Sequence, residues 1–177
     1  MVEFSIGSRE PALDLQLWKN YADVYDVAII HPSGQSTGEL RRGLGTQRFR
    51  LGQTELLIYY GEPSPSSKAQ EIYMDFLPIA DYLDAGIWRI QLLPKRIVQG
   101  NYDLWMPSAA ALGADTGFLF PVPETTLTIP STAERVISVS AYNAATDAYA
   151  EFSGRGYTRE LQGIKPDLAA PGVDVTT

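Results

Sequence analysis

The 177-residue sequence has no cysteine and one histidine, His31. The first absence excludes disulfides, thiolate metal sites and a cysteine nucleophile, and it fixes no compartment. The second leaves a single imidazole to serve as a base. Positive charge is scarce as well: 14 Lys and Arg stand against 21 Asp and Glu, for a net charge of −7 and a pI near 4.7. That is the wrong sign for nucleic acid or an anionic membrane surface. Long hydrophobic runs are missing, and the longest fall short of a membrane span. Met1 leads straight into "VEFSIG", where no basic and apolar leader is legible.

What is present suffices for a core. Hydrophobic residues make up 45% and charged residues 20%, ordinary values for a globular chain. Over the first hundred residues, "VEFSIG" (2–7), "ALDLQLW" (12–18), "YDVAIIH" (25–31), "QRFRLG" (47–52), "TELLIYY" (54–60), "QEIYMDFLP" (70–78) and "GIWRIQLLP" (86–94) mostly alternate apolar with polar. Leu13, Leu15 and Leu17 point one way and Asp14 and Gln16 the other; Trp88, Ile90 and Leu92 oppose Ile87, Arg89 and Gln91. Turn chemistry separates the runs, in "HPSGQSTG", "GEPSPSSK" and "YLDAG". Strands at about ten-residue spacing, with no helical period between them, predict an antiparallel sandwich of jelly-roll type.

The character changes near residue 107. "PSAAALGADTGFL" is small and helix-tolerant, and "FPVPETT" is a proline-rich connection. "RVISVSAY" (135–142) is a nearly continuous apolar run, as expected of a strand covered on both faces in an α/β sheet. The final "VDVTT" alternates like the start of another strand.

Three blocks in this second part occur in the order and spacing of a known family: "VISVSAYN" at 136–143, "FSGRG" at 152–156 and "KPDLAAPGV" at 165–173. Through them, residues 127–175 resemble the subtilisin-like serine peptidases, or subtilases. Residues 2–107, through "LWKNYADVYDVAIIHPSGQ", "IYYGEPSP" and "GIWRIQLLPKRIVQGNYDLWMPS", resemble the jelly-roll insert inside the subtilase domain of the germination-protease type of spore-forming bacteria. The resemblance implies a mainly β chain: a jelly-roll insert over 1–107, a connection over 108–122, and an incomplete piece of an α/β subtilisin-like core over 123–177. It implies an interior segment of a serine endopeptidase. The family's Asp and His precede the insert and its Gly-Thr-Ser-x-Ala element follows "APGV". This chain would then hold no triad of its own, and Met1 would not be the natural start. The implied partners are the rest of the subtilase domain and a peptide or protein substrate.

Several residues could suggest a site. His31, in "AIIHPSGQS", is either a catalytic base or a surface turn residue; the turn reading is adopted, and no Ser/His/Asp set is expected around it. Ser153 follows Phe152, not a glycine, so "FSGRG" is no nucleophile elbow and reads as a tight loop. Asp167 reads as a structural turn carboxylate tied to backbone or basic groups. The pairs Asp23/Asp26, Asp81/Asp84 and Glu10/Asp14 raise a glycosidase acid pair or calcium, but lack a motif for either and read as solvated loop acids. Of the aromatics, "IYYG" (58–61), "NYDLW" (101–105), Trp18 and Trp88 raise a sugar-stacking platform, but within alternating strands most of them read as core, Trp88 among them, while Tyr60 and Tyr102, beside Gly61 and Asn101, are expected at the surface. Arg41, Arg42, Arg48 and Arg50, in "LRRGLGTQRFR", read as a charged edge strand in preference to a basic binding patch, and "GLGTQR" lacks the ending of a phosphate loop. No catalytic, cofactor or metal residue is therefore assigned. A free-standing binding module for a peptide, a glycan or a protein is the competing function. The second part, cut off from the rest of such a core, is expected either to self-associate through 123–177 or to fold back onto the jelly roll.

Overall fold

The computed structural model describes residues 1–43, 45–63, 68–133, 135–158 and 163–175. The tip of the "EPSPSSK" loop and the last two residues of "VDVTT" lie outside them. The described residues form fourteen strands and no helix, in two compact units, Met1–Phe120 and Pro121–Thr177.

The first unit is a mainly antiparallel sandwich of two sheets. The four-stranded sheet runs in the order β3 (Val24–Ile30), β7 (Gly86–Arg96), β1 (Val2–Ile6), β9 (Gly117–Phe118). The five-stranded sheet runs β4 (Thr46–Leu51), β5 (Thr54–Tyr60), β6 (Ala69–Pro78), β2 (Leu13–Asn20), β8 (Tyr102–Trp105). Pairing is nested, β1 with β9, β2 with β8 and β3 with β7, so the chain doubles back along its own course and rolls up. The short strands β8 and β9 complete both sheets and carry the unit as far as Phe120.

The two-residue period places the core. Along β2, Leu13, Leu15 and Leu17 are buried, and they lie opposite Phe76, Met74 and Ile72 of β6. Val27, Ile29, Trp88, Ile90, Phe4 and Ile6 close the core from the other sheet. Phe76 joins the layers: its ring meets Phe4 edge-on at 5.8 Å and Trp88 at 5.3 Å. Trp18 faces outward from β2 and donates to Gln16 Oε1 at 3.3 Å. It follows three inward leucines at the wrong parity. β4 lies at the edge of its sheet, with Arg48 and Arg50 exposed and Arg48 reaching Glu55 at 3.4 Å. Charge on an edge strand discourages pairing with another chain.

In the second unit, β10 (Val139–Asn143) pairs in parallel with β14 (Leu168–Pro171) and antiparallel with β11 (Ala148–Tyr149); β12 (Gly156–Thr158) and β13 (Gly163–Lys165) form a hairpin. The strand expected over 135–142 begins only at Val139, and Val136, Ile137 and Val139 are exposed. The described part of this unit supplies strand neighbours for the apolar run but no layer to cover it. Residues 173–175 form no strand. Limited proteolysis should therefore cut first between about 107 and 160, where irregular, turn-rich backbone is most accessible. Early cleavage within 54–94 would contradict this division.

Candidate functional site

His31 is buried, contrary to the expected surface position. Its main chain keeps the turn, with His31 N–H donating to Gln35 O at 2.8 Å and Gly34 N–H to His31 O at 2.8 Å. Its ring stands edge-on to Trp88 at 4.6 Å and is covered by it. Ser33 brings its Oγ to 2.7 Å and its N–H to 3.0 Å from Nδ1, while Nε2 lies 3.2 Å from Asp84 Oδ2. A serine, a histidine and an aspartate do gather here, against the expectation that none would.

The geometry suits a clamp better than a nucleophile and its base. The Nδ1 lone pair is already engaged by the Ser33 main-chain N–H. Nε2 approaches Asp84 outside hydrogen-bond alignment. Asp84 Oδ2 itself accepts from Gln53 N–H at 2.5 Å and Thr54 Oγ1 at 3.3 Å, and the Asp84 carbonyl accepts from Trp88 Nε1 at 2.9 Å. The cluster thus fastens the turns after β3, after β4 and before β7 to one another. Gly52 is required beside it: its φ is +59°, and a Cβ there would fall 2.5 Å from Asp84 Oδ2 and 2.9 Å from His31 Nε2.

Three of the other acids, Asp23, Glu10 and Asp26, are also employed in holding the fold. Asp23 is fully buried, not solvated, and accepts main-chain N–H groups from Val98, Gln99 and Gly100 at 2.5, 2.9 and 2.8 Å. Burial pushes this carboxyl up, but the three N–H donors and the nearby Lys19 outweigh it and hold the group below its usual range. Glu10 is likewise buried, accepting from Gly113 N–H at 2.9 Å and from the Thr116 hydroxyl. Asp26 pairs with Arg42 at 2.8 Å and Lys95 at 2.6 Å. Asp81 is exposed. Asp14 lies directly across from Asp75 on β6, where burial and then Asp14 raise the Asp75 carboxyl. Among the described residues no three His, Cys, Asp or Glu side chains converge to hold a metal ion. Tyr60 and Tyr102, expected at the surface, are turned inward. Tyr60 is 6% exposed, and Tyr102 packs on the core, edge-on to Tyr25 at 6.2 Å. Strand parity decided both, overriding the flanking turn residues.

In the second unit the three sequence blocks interlock. Ser153 Oγ accepts from Ala141 N–H at 2.9 Å, and Ser153 N–H donates to Ala150 O at 2.9 Å, so this hydroxyl is tied to β10. Thr126 N–H donates to Arg155 O at 2.8 Å, and Arg155 N–H donates to Thr126 Oγ1 at 3.0 Å. The Arg155 guanidinium lies 4.7 Å above the Tyr149 ring. Gly156, at φ +141°, would place a Cβ 2.7 Å from Glu124 O. Asp167 Oδ2 accepts from Ser138 N–H at 2.8 Å and from Lys165 Nζ at 2.6 Å, and Lys165 and then Ser138 hold its carboxyl below the usual range. These contacts build a wall of main chain and small side chains.

The comparisons with known proteins fit that geometry. Residues 100–177 match the subtilase family. Among solved structures, the chain is similar to the CspB protease of Clostridium perfringens, with 33% identity and a TM-score of 0.87, over 98% of this chain and 36% of that one. No curated protein matches. The chain is subtilase-like. It spans 36% of the length of the protease chain it matches.

Proposed function

We propose that the chain forms the interior part of a subtilisin-like serine endopeptidase and is inactive by itself. The observation that carries this reading is the likeness to one protease chain over 98% of the residues, across both units, while only 36% of that chain is accounted for. On this reading the sandwich, which runs past the expected 107 as far as Phe120, is the insert, and 123–177 is a segment of the peptidase core. The whole protein would hydrolyse peptide bonds by acyl transfer through a serine. The insert would stiffen that core or restrict access to it. The first test is the coding sequence on both sides of this segment. Asp and His elements ahead of it and a Gly-Thr-Ser-x-Ala element within about fifty residues after it would support the reading. The extended protein should then cleave casein, and lose that activity when its serine is replaced. Coding sequence without those elements, or activity indifferent to that serine, would refute it.

The second unit would pack on the remainder of the core. Ile137, Phe152, Ile164 and Leu168 are each at least 60% exposed, and large apolar side chains left open favour association. Expressed alone, the 177-residue chain is therefore expected to self-associate through 123–177. Light scattering should show a mass that rises with concentration and persists in high salt, since apolar contact is not screened. Truncation to 1–120, which keeps β9 in its sheet, should give a monomer. A monomeric full chain at all concentrations would contradict this.

A further inference from the structure

The five-stranded sheet turns one face to the core and the other away from it, and aromatic rings stand on the outward face. Pairing sets Tyr59, Tyr73, Gln16 and Trp105 in one row across β5, β6, β2 and β8, a span of three strand spacings, about 14 Å. Trp18 lies two residues along β2 from Gln16, on the same face, and donates to its Oε1. The Tyr59 and Tyr73 rings lie 6.1 Å apart, inclined at 52°. Tyr59 is exposed, and Tyr73, Trp18 and Trp105 are half-buried. The outward face of an antiparallel sheet ordinarily carries polar side chains, whereas exposed Trp and Tyr are enriched where another chain binds.

Carboxylates flank the row. Asp14 and Asp75 are direct partners across β2 and β6, and Glu71 lies across from Trp18. Like charges directly opposite one another destabilise a strand pair. Among the described residues no Lys or Arg forms an ion pair with any of these three acids. Arg48, on the same face, pairs with Glu55. Burial raises the Glu71 carboxyl, and burial and then Asp14 raise that of Asp75, as for acids with no cation beside them. A neutral sugar would stack on the rings and leave this charge uncompensated. A guanidinium answers both features: it lies flat on an aromatic ring and donates in bidentate fashion to carboxylates.

We propose that this face docks an arginine-bearing peptide segment, whose guanidinium groups stack on Trp18 and Tyr73 and pair with Glu71 and with the Asp14–Asp75 couple. The face belongs to the first unit, and the proposal does not depend on the peptidase reading. Three probes test it on the full 177-residue chain: acetyl-tetraarginine amide, acetyl-tetraalanine amide and cellotetraose. The readout is the set of three indole N–H signals in ¹⁵N–¹H correlation spectra, at physiological salt, where diffuse attraction between charges is screened. The signals of Trp18 and Trp105 should shift saturably with the arginine peptide alone. That of Trp88, buried and donating to Asp84 O, should stay in place. Asp14→Asn with Asp75→Asn should weaken binding roughly fivefold or more. The thermal midpoint should hold or rise, because a repulsion is removed. Glu39→Gln with Asp81→Asn removes the same charge from exposed loop positions and should leave the affinity unchanged. Saturation by cellotetraose would make the face a sugar platform instead. That result, equal shifts with tetraalanine, no saturable shift with the arginine peptide, equal movement of all three indoles, or equal affinity in the two double variants would overturn the proposal.

Discussion

Phe76→Ala is expected to destabilise the first unit by about 3–5 kcal/mol, the cost of removing a buried aromatic and leaving a cavity. The ring is fully buried and makes edge-on contacts with one aromatic on each of two strands of the facing sheet. Such pairs add about 0.5–1.5 kcal/mol beyond the area they bury. No neighbouring side chain can fill the gap without uncoupling Phe4 or Trp88, and loosening Trp88 also uncovers His31. Differential scanning calorimetry should show the midpoint falling by roughly 10–20 °C for a unit of this size. Phe152→Ala, at a side chain 73% exposed, should stay within about 0.5 kcal/mol of the parent. Equal effects at the two sites would mean that the sheets do not share the core described.

Asp23→Asn is expected to lower stability by about 2–3 kcal/mol, although it removes no volume. The carboxylate accepts three N–H groups from the turn at 98–100. An amide would turn a donor toward at least one of them and leave a buried group unpaired. The substitution also changes the response to acid. The folded carboxyl lies below its usual range, near 4 in the unfolded chain. Its contribution is therefore complete above about pH 5 and is lost as pH falls through the lower folded value. Chemical denaturation between pH 3 and 7 should give a steeper acid loss for the parent than for Asp23→Asn, with the difference largest at neutral pH. Parallel pH profiles would show that Asp23 does not carry this charge.

Much of the fold could be read from the sequence, because a sandwich writes its two-residue period into the chain. The alternation of Leu13, Leu15 and Leu17, and of Trp88 and Ile90, located strands, facing and core together. The sheet order could not be read this way. Alternation says which face is inward and nothing about which strand lies alongside, and the two residues of β9 carry no period at all. The errors at Tyr60, Tyr102 and His31 share one cause. Adjacent Gly, Asn or Pro signals a turn in the main chain, whereas burial of the side chain depends on what the opposite sheet brings to it. The carboxylates were hardest. Asp23 and Glu10 lie in loop-like stretches where solvated acids are the rule, and their donors come from residues 75 and more positions away. At "RVISVSAY" the apolar run was legible, but its covering layer is not found among the described residues. Nothing in the sequence joined His31 to Ser33 and Asp84: "HPSG" is ordinary turn chemistry, and Asp84 stood out only as a loop acid beside Asp81.

The proposal that this chain lies inside a peptidase, without a working triad of its own, meets its most direct test at Ser33 and Ser153. The 177-residue chain is incubated with a fluorophosphonate, and its intact mass is measured. No adduct should form. The Ser33 hydroxyl faces a ring nitrogen already engaged by its own main-chain N–H, and Ser153 Oγ is held by Ala141. A stoichiometric adduct at either serine, abolished by His31→Ala, would show that the chain carries its own nucleophile and would contradict the reading.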